Sequence, residues 1–134
     1  MTKILVVEDD VTLGKALHEA LKRRGFECKV VRTPDAAIQS IKMEEFSAVL
    51  LDCMLPQMNG IELGLKLKSL SPTELVTILM SGIFKDRNFS KDAIYKLNAS
   101  GFLIKPFGMD SLFEILEDAF GDRINGGKEG WLAL

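Results

Sequence analysis

Five short apolar runs, Ile4-Leu5-Val6-Val7, Val30-Val31, Val49-Leu50-Leu51, Val76-Thr77-Ile78-Leu79-Met80 and Phe102-Leu103-Ile104, are separated by segments whose apolar residues repeat at three and four. This alternation leaves few folds open: strands joined through helices run parallel, and right-handed crossovers put helices on both faces of one sheet. The punctuation agrees. Leu13, Ala16, Leu17, Ala20 and Leu21 form a stripe that stops at Gly25, where a residue with positive φ is needed. Thr33-Pro34-Asp35 supplies an N-cap, a first-turn proline and a dipole-complementing acid ahead of an inner face of Ala37, Ile38 and Ile41. Leu63, Leu67 and Leu70 end before Pro72; Ala93, Ile94 and Leu97 make a fourth stripe, and Leu112, Ile115, Leu116 and Ala119 a fifth. The expected fold is α/β, a (βα)5 doubly wound parallel sheet with strand order 2-1-3-4-5 and its switch point between strands 1 and 3.

At 134 residues the chain suits one domain that buries a core without disulfides or metal staples. Cys28 and Cys53 are too few for a disulfide framework or a four-ligand zinc site and read as buried thiols. A net charge of -2 gives no general pull toward nucleic acid or anionic lipid. No apolar run is long enough to span a membrane, and Met1-Thr2-Lys3 leads straight into a strand rather than a signal peptide, so the expected location is cytoplasmic.

Strand 3 ends in Asp52, after which Pro56 and the Asn59-Gly60 pair turn the chain. An Asp here either caps the turn or carries chemistry, since ligands of such sheets bind at the C-terminal strand ends. Strand 1 ends in Glu8-Asp9-Asp10, so the topology brings two carboxylate clusters to one crevice. An acidic loop repels the phosphates that Gly-rich loops cradle, and crowded carboxylates raise one another's pKa unless a cation neutralises them. The pattern calls for a hard divalent ion such as Mg2+, and with it phosphoryl chemistry. Asp10, nearest the first helix, reads instead as complementing the helix dipole. Ser81 and Lys105 lie at the ends of strands 4 and 5 and offer a hydroxyl and an ammonium to an added phosphoryl group.

Over residues 3 to about 120 the chain resembles the receiver domain of bacterial two-component response regulators, whose sheet is flavodoxin-like. The elements are Ile4 to Asp10, Asp52 with Pro56 and Asn59-Gly60, Ser81-Gly82, and Lys105-Pro106-Phe107. The resemblance implies that Asp52 accepts a phosphoryl group from the phosphohistidine of a sensor histidine kinase or a histidine phosphotransfer protein. Asp9, Asp52 and the Met54 backbone carbonyl would hold Mg2+, Glu8 would contribute through water, and Lys105 would contact the phosphoryl group. Ser81 would swing toward the new oxygens with a rotamer change at Phe102. It also points to helix 4, strand 5 and helix 5 as the partner surface, with a homodimer possible there. The basic row Lys85, Arg87, Lys91 and Lys96 and the acidic row Asp110, Glu114, Glu117 and Asp118 suit a two-fold contact. Glu8 is one methylene longer than the usual Asp, Asn98 replaces a common helix-end Gly, and the Ser81 to Lys105 span, with Phe84 and Phe89, runs a little long.

His18 reads as structural, Cys53 as packing, and Met54, Met58, Met80 and Met109 as gap fillers. Residues 1–120 make the receiver unit; 121–134, with four Gly and Trp131, read as a flexible tail or the start of a linker. Such a unit is a signalling domain that catalyses only its own phosphorylation and dephosphorylation, and binds no nucleic acid itself. The alternatives are a Mg2+-dependent phosphatase with an aspartyl nucleophile, which lacks a second acid two residues past Asp52, and a receiver-like binding module that is never phosphorylated.

Overall fold

The computed structural model describes residues 2–82 and 87–124, with backbone alone for 87–90 and 122–124. Strands and helices alternate as β1 (Lys3–Val7), α1 (Val11–Arg23), β2 (Glu27–Val31), α2 (Pro34–Met43), β3 (Ala48–Asp52), α3 (Gly60–Leu70), β4 (Val76–Ser81), α4 (Arg87–Leu97), β5 (Gly101–Ile104) and α5 (Met109–Ile124). The strands form one parallel sheet in the order β2-β1-β3-β4-β5, as the alternation predicts.

Side chains alternate across the sheet and divide the core in two. Ile4, Val6, Ala48, Leu50, Ile78, Met80 and Leu103 pack against Leu17 and Leu21 of α1 and Leu112, Leu116 and Phe120 of α5. Leu5, Val7, Val49, Leu51 and Leu79 pack against Ala37 and Ile41 of α2, Leu63 and Leu67 of α3, and Ala93 and Leu97 of α4. Each fully buried side chain of this kind is worth about 1.5–3 kcal/mol, so these two layers hold the frame on which the strand ends sit. The helix signals take their expected forms. Thr33 Oγ1 accepts from Ala36 N–H at 3.2 Å, and Gly25 and Asn98 adopt φ of 90° and 50°.

Some expectations are corrected. Ala16 is exposed, and Gly14 is buried in its stead. A Cβ on Gly14 would lie 3.1 Å from Val30, so α1 turns its smallest residue onto β2 where the two approach most closely. Cys28 is only half-buried, because β2 is an edge strand with one neighbour. Met54 fills no gap: it is 49% exposed on the turn after β3. The helix α5 runs to Ile124, four residues into the stretch read as tail, and Gly121 is buried. One interior glycine costs a helix about 1 kcal/mol, which the packing of α5 overrides. Residues 125–134, Trp131 among them, lie outside the described residues, as do Phe84, Lys85 and the side chains of Arg87 and Phe89. No helix among the described residues is long and apolar enough to cross a membrane.

Candidate functional site

Backbone hydrogen bonds carry the parallel pairing one residue past the C-terminal edge of the sheet. Glu8 N–H donates to Val31 O at 3.0 Å, Cys53 N–H to Met80 O at 2.8 Å, and Lys105 N–H to Ser81 O at 2.9 Å. These bonds tie Glu8, Lys105 and the residue after Asp52 to the rigid frame. By alternation, Glu8 continues Ile4 and Val6, Asp52 continues Ala48 and Leu50, and Lys105 continues Leu103, all on the side covered by α1 and α5. Ser81 and Phe102 fall on the other side. Phe102 pairs in register with Leu79 and packs against the core beneath α2, α3 and α4, and Ser81 is buried.

The side chains converge as the topology requires. Lys105 Nζ donates to Asp52 Oδ2 at 3.1 Å and lies 2.5 Å from Glu8 Oε1. Asp52 Oδ1 accepts from Met54 N–H at 2.9 Å, and Glu8 Oε2 accepts from Asp10 N–H at 3.1 Å. Asp10 itself caps α1, its Oδ1 accepting from Thr12 and Leu13 N–H at 2.9 and 3.2 Å, so its expected role at the helix start is met. Glu8, at 1% exposure, is pushed up to about 7 by burial; Lys105 and the Asp10 N–H pull it down less than that, and the charge of Asp52 adds to the rise. Burial alone would lower Lys105, but its bonds to Glu8 and then Asp52 hold it above the ordinary lysine range. The same ion pair thus favours the ammonium while desolvation governs the buried carboxyl. The Cys53 thiol is pushed up to about 12, by burial first and then by Asp52, which fits packing rather than nucleophilic chemistry.

Glu8, Asp9 and Asp52 each bring a carboxylate oxygen within 4.8 Å of the others. Glu8 Oε1 is buried and has no aligned hydrogen bond, since Lys105 meets it only as an ion pair. Three hard carboxylate oxygens this close together fit a Mg2+ ion, which takes oxygen ligands from one or two carboxylates and keeps waters. His18 stands apart, half-buried beside Cys28 and Val30 in a groove of about 560 Å³.

Two features escaped sequence reasoning. Gly60 N–H donates to Cys53 O at 3.2 Å, and a Cβ on Gly60 would lie 2.5 Å from Cys53 Cα. The Asn59-Gly60 pair therefore folds the loop back against β3 as well as turning it; only the glycine itself signalled this. Beside the acids, Leu13, Ala16, Lys105, Pro106 and Phe107 line a cleft of about 490 Å³ next to a cis Lys105–Pro106 bond.

The profile of the response regulator receiver domain family matches residues 4–117. The chain is 34% identical over 110 residues to the transcriptional regulatory protein BasR of Escherichia coli, covering 82% of this chain and 48% of that one. It is 31% identical over 120 residues to the transcriptional regulatory protein CrdR of Helicobacter pylori, covering 90% and 55%. It thus spans about half the length of these curated relatives. Among solved structures, a CheY-like receiver domain protein of Methanospirillum hungatei superposes with a TM-score of 0.82 at 25% identity, over 95% of this chain and 99% of that one.

Proposed function

Because this chain belongs to the response regulator receiver domain family, we propose that it is a phosphoacceptor switch in which Asp52 takes a phosphoryl group from the phosphohistidine of a sensor histidine kinase or histidine phosphotransfer protein. The observation that carries this reading is the buried Asp52 held 3.1 Å from Lys105 and clustered with Glu8 and Asp9. An Asp52 oxygen attacks phosphorus, the new O–P bond forms as the N–P bond breaks, and the imidazole leaves with the bonding electron pair. Met54 N–H, bonded to Oδ1, orients the carboxylate, leaving its remaining lone pairs for attack. Lys105 stands beside the incoming phosphoryl oxygens as a charged donor. Asp9, Asp52 and the Met54 carbonyl would hold Mg2+, with Glu8 acting through water. The ion supplies positive charge that offsets the gathering of anions.

The product carries roughly two added negative charges. Ser81 and Phe102 lie on the side of the sheet that α4 covers, two positions apart in register. Rotation of Ser81 toward the phosphoryl oxygens, with Phe102 filling the space behind it, would alter the face formed by α4, β5 and α5. Turning a 1:99 population into 99:1 takes about 5.5 kcal/mol, a sum that direct bonds from Ser81, Lys105 and the ion can reach. That face is the expected site for a partner or a second copy. The domain acts in the cytoplasm, without membrane or direct nucleic-acid contact, and catalyses only its own phosphorylation and dephosphorylation.

Incubation with acetyl phosphate, with and without Mg2+, followed by intact mass tests the assignment. A single metal-dependent phosphoryl adduct supports it. Steady phosphate release without an adduct points to a phosphatase, and no reaction points to a binding module.

A further inference from the structure

Lys105 sits between two buried carboxylates and is nearer the one that does not accept the phosphoryl group: Nζ lies 2.5 Å from Glu8 and 3.1 Å from Asp52. Glu8 is also braced from behind. Its N–H is bonded to Val31 O and its Oε2 to Asp10 N–H, which leaves Oε1 aimed at the ammonium. Glu8 is 1% exposed, so the ammonium, whose own side chain still reaches water, is a partner for a carboxylate that bulk water does not solvate, and an ion pair buried on one side is stronger than a fully exposed one. We propose that Glu8 is a positioning residue that tethers Lys105 in the metal-free site, so that an entering divalent cation must displace the ammonium, and the reach of the side chain at position 8 sets how strongly Lys105 competes. This rests on the reading of the pocket as a metal site and adds to it a built-in opponent of the metal.

Shortening the side chain separates the two effects. Glu8→Asp keeps the charge while drawing the carboxylate back from Lys105 by on the order of 1.5 Å, one carbon–carbon bond. Mg2+ affinity is measured from the Cys53 and Met54 amide signals by NMR at pH 8 in the wild type, Glu8→Asp, Lys105→Met and the double variant, with thermal melting to show that each is folded. Glu8→Asp should tighten Mg2+ binding roughly three- to tenfold, the size of coupling found between contacting groups, and this gain should be lost once Lys105 is Met. An equal change in both backgrounds, a weakening, or no change in either overturns the tether. In the wild type alone, the Lys105 Cε resonance should move in step with Mg2+ saturation; a Lys105 signal indifferent to saturating Mg2+ overturns the proposal whether or not the variants fold. A wild type that binds no Mg2+ overturns the metal-site reading as well, whereas binding without coupling overturns the tether alone.

Discussion

Glu8 carries the largest electrostatic cost in the pocket. Its carboxyl rises from the ordinary 4.5 to about 7, chiefly through burial, so between those values the folded chain holds a proton that the unfolded chain has released. Stability of the metal-free protein from this group is therefore full below about 4.5, falls as pH rises through about 7 and is flat beyond. At roughly 1.4 kcal/mol per unit the loss is at most about 3.5 kcal/mol. Urea unfolding across this range in wild type and the isosteric Glu8→Gln should show the decline in the former and a flatter profile in the latter; parallel profiles would remove Glu8 as the cause. At Asp9 the expectation is different. It is half-buried in the acid cluster without a capping bond, a placement that suits a metal ligand, so under the proposed function Asp9→Ala should weaken Mg2+ binding and slow phosphorylation. It should leave metal-free stability unchanged within about 0.5 kcal/mol or raise it by relieving repulsion. A marked fall in the melting temperature without Mg2+ would make Asp9 structural instead. The meeting of Glu8, Asp9, Asp52 and Lys105 was legible in the sequence because strand ends in a doubly wound sheet have only one crevice to share. The Glu8–Lys105 contact was not, since it depends on how far one flexible side chain reaches, and neither was the exposure of Met54, which depends on how the turn after β3 rolls.

Elements were legible where a local rule decides them. Thr33, Gly25 and Asn98 occupy the cap and left-handed positions that their residue types favour, and the apolar runs gave each strand. Boundaries were less so. β2 extends back to Glu27 because its ladder with β1 needs only backbone groups, and α5 passes through Gly121 because packing outweighs propensity. The α1 stripe was misjudged at Ala16 for a related reason: which small residue turns inward is settled by the approach of β2 to Gly14, a tertiary fact. The turn from β3 into α3 belongs to this scale and carries function. Gly60 must lack a Cβ because Cys53 Cα would be 2.5 Å away, and both atoms belong to backbone that holds Asp52 and Met54. Gly60→Ala should therefore cost about 1–3 kcal/mol and, by moving the Met54 amide and carbonyl, weaken Mg2+ binding severalfold. Melting and Mg2+ titration of this variant check it; unchanged metal affinity would mean that the turn adapts without reaching the site.

As a whole the molecule is a rigid sheet with reactive groups along one edge and a candidate output face beside it. On that face Tyr95 is 86% exposed on α4, Ile104 is partly exposed on β5, and Asp110, Glu114, Glu117 and Asp118 line α5. Of the basic row, Lys91 and Lys96 are described; Lys96 pairs with Asp92 on its own helix at 3.1 Å, a contact worth only about 0.3–0.5 kcal/mol and easily exchanged. The metal-free, unphosphorylated protein should thus stay monomeric, and phosphorylation should bring a self-association or partner affinity that falls as salt rises. Sedimentation of the phosphorylated protein at low and high salt checks this, and a monomer in both would remove the homodimer. Which partner docks could not be read from the chain, because charge rows on exposed helices fit solvent as well as a protein. In the proposed function all of it depends on one covalent event at one carboxylate. The most direct test is intact mass after acetyl phosphate and Mg2+ for the wild type beside Asp52→Asn, an isosteric change that removes the nucleophile and leaves both core layers untouched. The account predicts one phosphoryl adduct on the wild type and none on the variant at equal folding; an adduct at full stoichiometry on Asp52→Asn would contradict it.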